Sequence, residues 1–369
     1  MKDCFPARIC SLALLISTAT ALPCTTFVQR GDGHVYFGRN LDWYWENGIV
    51  VANPRGLQKT AFLMTEHAPA RWTSRYGSIT FNQFGRELPM GGMNEAGLVV
   101  ENMQLAGTSY APPDVRPALN LEQWIQYQLD TCKNVAEVLA TDRQVRIETP
   151  PPPLRAEACE HYLICDAAGD CATIEFLGGK TVVHRGADLA CPVLANSTYE
   201  ASTNYLGAHP VASPAPASAP DRGSLARFGQ AAARTAAYRP TAPAADIAYA
   251  FATLDGVAQG DATVWSIVYD VTGRQIHYRT RSNRTTRIID FKALDFATGR
   301  PVLFANIQTT SAGDAKTTAL AELTESRHRE YLQSFFGQPA VKQAFGDLSP
   351  VVEGLVLTLR TYTAPAPGR

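Results

Sequence analysis

The chain has 369 residues, of which 46% are hydrophobic and 18% charged, and its formal net charge at pH 7 is −1. This length and composition predict a globular protein of one large domain or two small ones. Because the charge is balanced and no basic stripe is interleaved with aromatic residues, neither nucleic acid nor a membrane surface is expected as a partner.

The first 23 residues resemble a secretory leader. A basic start with Lys2 and Arg8 precedes an apolar run from Ile9 to Leu15, and small residues follow up to Ala21. The apolar run is shorter than the about 20 residues that a membrane-spanning helix needs, and no later segment replaces it. We therefore expect an exported protein, periplasmic or secreted, without stable membrane insertion.

The leader is expected to end at Pro23, so that residues 24–369 form a single domain. Proline suits neither an A-x-A cleavage site nor the small residue that precedes a lipoprotein cysteine. Cleavage after Ala21, followed by trimming of Leu22 and Pro23, is therefore an equal alternative to direct release at Cys24.

Alternating apolar and β-branched runs dominate the first hundred positions. They predict strands at Thr25–Gln29, Val35–Phe37, Ile49–Ala52, Tyr76–Asn82 and Leu98–Met103. Gly31-Asp32-Gly33 predicts a tight hairpin between the first two strands. Arg30-Gly31-Asp32 is accordingly interpreted as a turn and not as an adhesion signal.

Helical periodicity begins at Leu121, where Asn120 is placed to cap the first turn, and a second helix is expected after Asn134. Further strands are predicted at Tyr162–Cys165, Ala172–Phe176, Lys180–Val183, Thr263–Asp270, Arg274–Thr280 and Arg287–Phe291. Further helices are predicted at Gly223–Arg234, Pro243–Leu254 and Lys316–Phe336.

The stretch 209–220 is rich in proline, which removes backbone donors, so it is predicted to be an exposed loop. Strands near both ends of the chain, with helices between and after them, predict an α+β fold of two antiparallel sheets packed face to face and covered by helices. The last helices form a C-terminal extension.

The chain has eight cysteines, of which Cys4 and Cys10 belong to the leader. Cys165 and Cys171 bracket a turn, so a disulfide across a hairpin and two free thiols are both open alternatives. With Cys24 set apart for chemistry, five cysteines remain: this pair and Cys132, Cys159 and Cys191. Their odd number leaves at least one thiol free or paired between chains. Because no C-x-x-C occurs and the seven histidines are scattered, neither a metal nor another cofactor is expected.

Cys24 is the strongest candidate nucleophile in the chain. If the leader is removed before it, the residue carries both a thiol and a free α-amine. An α-amine titrates near about pH 7.7–8.0, so it can take the thiol proton without a histidine. This combination predicts an amide hydrolase.

Three motifs resemble the choloylglycine hydrolase family, which includes penicillin V acylases and bile salt hydrolases among the N-terminal nucleophile hydrolases. They are Cys24-Thr25, the run Tyr36–Trp43 and the run Gly92–Leu98, and the similarity extends from Cys24 to about residue 290. The resemblance implies the αββα fold, an amide substrate of small-molecule size, and a homotetramer.

The resemblance also implies roles for single residues. The family's nucleophile, arginine, aspartate, oxyanion-hole asparagine and second arginine fall on Cys24, Arg39, Asp42, Asn196 and Arg227. Where bile salt hydrolases usually carry an asparagine, this chain has Gln104, which departs from the bile salt pattern although its backbone N–H can still donate to an oxyanion.

These assignments agree with the chemistry that amide cleavage requires. Arg39 beside the thiol would favour the thiolate, while Asp42 would accept hydrogen bonds from the α-amine. The Asn196 side chain and the Gln104 N–H would stabilise the oxyanion, and loss of one such donor typically costs about 2.7–4 kcal/mol.

Each assignment has a structural alternative. Arg39 and Asp42 could be an ion pair in a turn, Asn196 could belong to a glycosylation sequon, and Arg227 could be a solvated charge on a helix. The alternative of another class is an envelope binding protein anchored through a lipidated Cys24, in which the modified amine could not act as a base.

The substrate is predicted from weaker signals. Trp43, Trp45 and Phe81 are expected to line an apolar acyl pocket, together with Tyr44, Met90 and Met103. Exported members of the family resemble the penicillin V acylases of Gram-negative bacteria, some of which also cleave N-acyl homoserine lactones. Penicillin V and acyl homoserine lactones are therefore expected ahead of bile salts.

Overall fold

The computed structural model describes residues 23–151, 159–209, 223–309 and 318–364. The leader predicted over residues 1–23 and the loop predicted over residues 209–220 lie almost wholly outside the described residues. The strands, in chain order, are β1 (Thr25–Gly31), β2 (His34–Asp42), β3 (Ile49–Asn53), β4 (Gln58–Thr60), β5 (Arg71–Thr73), β6 (Ser78–Asn82), β7 (Pro89–Asn94), β8 (Val99–Gln104), β9 (Ala118–Asn120), β10 (Arg146–Glu148), β11 (Glu160–Cys165), β12 (Cys171–Leu177), β13 (Lys180–Arg185), β14 (Val193–Leu194), β15 (Thr263–Asp270), β16 (Gln275–Thr280), β17 (Arg287–Asp290), β18 (Leu303–Asn306) and β19 (Ala321–Glu322).

Helices separate and follow these strands. They are α1 (Trp124–Thr131), α2 (Val135–Ala140), α3 (Tyr199–Ala208), α4 (Ser224–Ala237), α5 (Pro243–Gly256), α6 (Glu325–Phe336), α7 (Pro339–Phe345) and α8 (Ser349–Arg360). Local sequence explains several starts: the Asn134 side chain accepts from the Glu137 N–H to cap α2, and Pro243 occupies the first turn of α5, where no backbone donor is needed.

Two large antiparallel sheets form the centre of the molecule. The first has the strand order β14-β1-β2-β15-β16-β17, and the second has the order β13-β12-β11-β8-β7-β6-β3-β18-β19. The two sheets face each other across a core of buried apolar residues drawn from both. Helices α4 and α5 cover the outer side of the first sheet, and α1 covers the outer side of the second. This is the predicted αββα arrangement.

Burial on both faces explains the character of the central strands. β2, β3, β7 and β15 are buried along almost their whole length, so they lack the clean polar alternation of a half-exposed strand. β7 contains Pro89 and two consecutive glycines, which removed the usual strand signal from the sequence. The sequence analysis missed this strand for that reason.

The hairpin between β1 and β2 follows the prediction. Asp32 and Gly33 both have positive φ, as a two-residue type I′ turn requires, and the strands pair from Gly31 opposite His34 to Thr25 opposite Asn40. The turn thereby sets the register that brings the far end of β2 beside the start of β1.

The C-terminal extension differs from the prediction. A helix was expected over Lys316–Phe336, but α6 begins only at Glu325 because Ala321–Glu322 pairs with β18 as an additional edge strand. Leu332, Leu355 and Val356 of the extension form an apolar cluster with Phe62 and Leu88 from the body of the protein. None of the helices in the described ranges is long and apolar enough to cross a membrane.

Cys165 and Cys171 face each other directly across the β11–β12 hairpin, with their Sγ atoms 2.6 Å apart as free thiols. The register is therefore the one that a cross-strand bridge would need. The disulfide itself stays a prediction.

Candidate active site

Cys24 lies immediately before β1 and is buried, with 4% of its surface exposed. Its Sγ lies 3.8 Å from Nη2 of Arg39 and 3.8 Å from the carbonyl oxygen of Asp42. The register of β1 and β2, which pairs Thr26 with Arg39, accounts for this proximity. Burial raises the pKa of the Cys24 thiol, although the positive charge of Arg39 acts in the opposite direction.

Arg39 is one of the largest fully buried side chains in the protein. Nη1 donates to Glu101 Oε2 at 2.9 Å and also to the carbonyl oxygen of Asn102, while Nη2 points to the thiol. Burial acts to lower the pKa of Arg39, but the Cys24 sulfur and the Glu101 carboxylate outweigh it and raise the pKa above its ordinary value. The guanidinium therefore stays charged beside the sulfur.

Glu101 on β8 was not identified from the sequence. Its carboxylate binds Arg39 on one side and accepts the Tyr269 hydroxyl on the other, and burial raises its pKa to about 7. Gly91 on β7 faces it, and a Cβ at Gly91 would overlap the carboxylate. The available signal was a lone acidic residue in the apolar run that begins at Leu98.

Asp42 ends β2 and is fully buried. Oδ1 accepts the Thr263 hydroxyl, and Oδ2 has no hydrogen-bond partner among the described residues. Burial raises the pKa of Asp42 to about 7, against the opposing effects of Thr263 and Arg227. Asp42 was expected to accept from a free α-amine on Cys24, and this stays a prediction, because the nitrogen is here still joined to Pro23 and its one N–H donates to Asn196.

Asn196 follows β14, which pairs with β1 and so holds this loop over Cys24. Its Oδ1 accepts from the Cys24 N–H at 2.6 Å and from Arg227 Nη2 at 3.0 Å, while Nδ2 donates to the Gln104 carbonyl oxygen at 2.8 Å. Two donors on one side and an acceptor on the other determine the orientation of the amide. The side chain thus connects Cys24 to β8.

Arg227 lies in the first turn of α4 and is buried, so it is not a solvated charge on the helix. Nη1 donates to the Cys24 carbonyl oxygen and, at 2.6 Å, to Thr25 Oγ1. Burial lowers the pKa of Arg227, while the negative charge of Asp42 acts to raise it. Its contacts hold Cys24 and Thr25 in place.

A second group that was not predicted from the sequence holds the residue next to Asn196 in place. His161 on β11 is fully buried, with Nε2 2.7 Å from the carbonyl oxygen of Ala195 and Nδ1 3.2 Å from Glu175 Oε1. Because a carbonyl can only accept, Nε2 carries a proton and donates it to Ala195. Glu175 also accepts from the Tyr199 N–H at 2.9 Å. A single buried histidine carried no sequence signal for this role.

A cavity opens beside Cys24 and Arg39. Its apolar wall comes partly from the body of the protein and partly from the C-terminal extension, whose contribution is Phe336, Phe345, Leu348 and Val351. The body contributes Leu41, Trp43, Phe62, Met64, Phe84, Leu88, Met90 and Met103. Polar residues line the remainder: Asn102, Gln104, Asn120, Glu122 and Glu160. The extension is thus part of the pocket.

Among the predicted site residues, Cys24, Arg39, Trp43 and Gln104 line this cavity with Met90 and Met103, and Asp42, Asn196 and Arg227 contact Cys24 without lining it. Trp45 does not line it, and packs behind it against Phe335 and Phe345, with ring centroids 6.0 and 5.8 Å away. Phe81 lies in the core between the sheets, 5.5 Å from the Tyr278 ring, because β6 points this side chain at the first sheet. Tyr44, named with them, is exposed.

No group of three or more His, Cys, Asp or Glu side chains that could hold a metal ion occurs within the residues that the structure describes.

Comparison with known proteins agrees with this geometry. The sequence profile described as linear amide C–N hydrolases, choloylglycine hydrolase family, matches residues 24–245. A penicillin V acylase from Pectobacterium atrosepticum is 28% identical over 196 residues, which are 48% of this chain and 51% of that protein. The chain thus spans about half the length of this curated relative.

Solved structures match over more of the chain. Penicillin V acylase from Agrobacterium tumefaciens is 26% identical, with a TM-score of 0.68 over 82% of this chain and 98% of that one. A conjugated bile acid hydrolase variant from Clostridium perfringens is 16% identical, with a TM-score of 0.61 over 82% of this chain and 100% of that one, and at this identity it shows the fold alone.

Proposed function

The chain belongs to the choloylglycine hydrolase family of linear amide C–N hydrolases, and we propose on this premise that it is an exported amidohydrolase in which Cys24 is the nucleophile. One observation carries the proposal. The Cys24 sulfur lies 3.8 Å from Arg39, its nitrogen lies 2.6 Å from Asn196, and the residue lines an apolar cavity. The thiol and the nitrogen of Cys24 thus both lie beside groups that amide cleavage needs.

The thiol requires a base. Because burial raises the pKa of Cys24, the sulfur is protonated at rest, and no histidine contacts it among the described residues. Removal of residues 1–23 would convert the Cys24 nitrogen into an α-amine, whose ordinary pKa of about 7.7–8.0 suits it to take the thiol proton. Processing is therefore the step that activates the enzyme.

Asp42 is available to hold that amine. An amine has more hydrogens than the amide nitrogen it replaces, and one of them already has Asn196 Oδ1 as an acceptor. The unpartnered, buried Oδ2 of Asp42 is an acceptor whose desolvation is not yet offset by any hydrogen bond. We infer that the processed amine bonds to both residues.

The reaction then proceeds in two stages. The sulfur attacks the amide carbon as its proton passes to the α-amine, and the oxyanion receives hydrogen bonds from the Asn196 side chain and the Gln104 N–H. Collapse of this intermediate breaks the C–N bond, and the departing amine takes the proton. Water, deprotonated by the α-amine, hydrolyses the thioester and releases the acid.

The substrate is proposed to be an N-acylated small molecule whose acyl group fills the apolar wall of the cavity. Two similar proteins are named penicillin V acylases, and Gln104 replaces the asparagine expected for bile salts. Penicillin V and N-acyl homoserine lactones are accordingly proposed ahead of glycocholate. Assembly as a homotetramer, which the sequence resemblance implies, belongs to the same proposal.

The first experiment determines the intact mass and N-terminal sequence of the exported protein. We expect Cys24 as a free first residue, hydrolysis of penicillin V or an acyl homoserine lactone, and loss of hydrolysis in Cys24→Ala. Activity confined to glycocholate would establish the bile salt alternative. A lipid on Cys24 would establish the anchored binding protein, and inactivity of the free-Cys24 form on all three substrates would refute the proposed function.

A further inference from the structure

The cavity beside Cys24 has two chemically different ends. In the second sheet the order is β11-β8-β7-β6, so β8 lies between β11 on one side and β7 and β6 on the other. The catalytic groups meet β8, because Arg39 donates to the Asn102 carbonyl oxygen and Asn196 donates to that of Gln104. The reacting bond therefore lies over β8, with one end of the cavity on each side.

The β7 and β6 side is apolar. Met90 lies on β7, Phe84 follows β6, and the C-terminal extension completes this wall with Phe345 and Leu348. An acyl chain or an aromatic acyl group gains free energy by leaving water for this surface. The acyl portion of the substrate therefore belongs on this side of β8.

The β11 side is acidic. Glu160 opens β11 opposite Gln104, and Glu122 lies in the turn that precedes α1. Glu160 accepts from Asn102 Nδ2 and from the Tyr162 hydroxyl, both at 2.6 Å. No Lys, Arg or His side chain in the described ranges forms an ion pair with either carboxyl group, and Glu122 has no side-chain hydrogen bond within those ranges.

A further polar group at this end lacks a partner. Asn102 is 4% exposed and lines the cavity, and its Oδ1 has no hydrogen-bond partner among the described residues. Burial, with the neighbouring Glu160 charge, raises the pKa of Glu122 to about 8. Burial also raises the pKa of Glu160 to about 7, against the opposing effects of the Tyr162 and Asn102 hydrogen bonds and the Arg39 charge. This end offers acceptors whose negative charge develops as the pH rises through about 7–8. The Arg39 cation that acts on Glu160 is itself paired with Glu101, and no other cation contacts either carboxyl group within the described residues.

We propose that the end formed by Glu122, Glu160 and Asn102 receives the amine portion of the substrate, and that it favours amides whose amine portion is neutral or cationic over those whose amine portion carries a carboxylate. This inference rests on the proposed function. An amide places its acyl and amine portions on opposite sides of the carbonyl carbon, so an acyl group over β7 directs the amine portion toward β11. Buried carboxyl groups that form no ion pair within the described residues stabilise a donor and, as they ionise, repel a second carboxylate.

The inference ranks the two favoured substrates. Homoserine lactone is a neutral amine portion while acylated and becomes an ammonium ion after release, whereas the amine portion of penicillin V carries a carboxylate. The leaving homoserine lactone, as an ammonium ion, would therefore be stabilised by carboxyl groups of opposite charge, whereas the carboxylate of the penicillin nucleus would be repelled.

The test compares two substrates that share the same acyl group. Phenoxyacetyl homoserine lactone and penicillin V differ only in the amine portion, and their kcat/KM values are measured for the processed wild type, Glu122→Gln, Glu160→Gln and the double variant. Glu200→Gln, an exposed change on α3, is the matched control. We expect the wild type to prefer the lactone and the double variant to lose about tenfold of that preference through faster penicillin V cleavage.

A binding measurement separates this inference from the proposed function. Calorimetry measures the binding of homoserine lactone and of 6-aminopenicillanate to the end formed by Glu122, Glu160 and Asn102, whether or not either amide is cleaved. Thermal melting shows that each variant is folded. Binding of the lactone that weakens in the double variant supports the inference. Equal binding of both amines, or a substrate preference that both Gln substitutions leave unchanged, overturns it.

Discussion

Arg39 and Glu101 form a buried ion pair, with Nη1 2.9 Å from Oε2, and the same guanidinium lies 3.8 Å from the Cys24 sulfur. The charge that could stabilise the thiolate is therefore shared with a carboxylate from the opposite sheet. Tyr269, which donates to the second oxygen of Glu101, holds this carboxylate from the first sheet. The reactivity of the thiol thus depends on a residue that touches neither the sulfur nor the substrate cavity.

Glu101→Gln should lower stability and increase thiol acidity at the same time. Glutamine keeps an acceptor for Arg39 but removes the negative charge, and breaking a buried ion pair costs about 3–5 kcal/mol. With its charge no longer shared, Arg39 should lower the pH midpoint for alkylation of Cys24 by iodoacetamide. Arg279→Gln, a change at a partly exposed arginine, serves as the control. An unchanged or higher midpoint in a folded variant would contradict this positioning role.

His161→Phe should reduce turnover without changing the cavity. The substitution removes the 2.7 Å hydrogen bond to Ala195 and so loosens Asn196, and misplacement of a catalytic group by about 1 Å can cost about a hundredfold in rate. We expect kcat to fall by at least about tenfold, with KM little changed, because the side chain does not line the cavity. His67→Phe, at an exposed position, should keep wild-type kinetics. A rise in KM alone would show that His161 does not act through Asn196.

Phe345→Ala should change the substrate preference, because Phe345 belongs to the C-terminal extension that lines the cavity. Phe345 lines the cavity and packs against Trp45, so its loss deepens the apolar end. Loss of a partly buried aromatic contact should raise KM for a phenoxyacetyl or short acyl substrate about tenfold. A long-chain acyl homoserine lactone, which can fill the new space, should be affected less. Gln343→Ala on the same helix is the exposed control. Equal effects on short and long acyl groups would place the acyl portion elsewhere.

Glu122→Gln should stabilise the protein at alkaline pH. Burial and the neighbouring Glu160 raise the pKa of Glu122 from 4.5 to about 8, so the folded state binds more protons than the unfolded state between these values. The contribution of Glu122 to stability is thus fully present below about pH 4.5 and is lost as the pH rises through about 8. The variant should exceed the wild type by about 2–3 kcal/mol at pH 9, with no gain at pH 4.

Thermal unfolding of Glu122→Gln and wild type across pH 4–9 checks this expectation. Glu200→Gln should give a constant difference over the whole range, because that carboxyl group is exposed. A constant difference for Glu122→Gln as well would show that Glu122 titrates normally in the folded protein.

The strands that frame the site were predictable because their signals are local. The Gly31-Asp32-Gly33 turn determines the register of β1 and β2, and this register alone brings Arg39 beside Cys24. The caps at Asn134 and Pro243 likewise marked helix starts that the structure retains. β7 escaped prediction because it contains Pro89 and two glycines, which have low strand propensity. Gly91 makes room for Glu101 and Gly92 for the Ile79 carbonyl oxygen, and these contacts depend on the fold.

Site residues were predictable only where a motif carried them. Cys24, Arg39, Asp42, Asn196 and Arg227 all lie together in the structure, as the resemblance implied. Glu101 and His161 were missed because their roles depend on partners from other strands, 62 and 34 positions away in the chain. Phe81 was placed in the pocket because a hydrophobic residue on a strand does not reveal which face of the sheet it occupies.

The sequence by itself determined the candidate nucleophile, the hairpin that follows it and the family, because these depend on residue identity and short-range spacing. Only the tertiary structure decided which charges surround the thiol, which wall the C-terminal extension adds to the cavity, and which end of the cavity is acidic. These properties arise from burial and from contacts between distant segments. A carboxylate such as Glu122 or Glu101 acquires its pKa and its partners only when folding removes it from water.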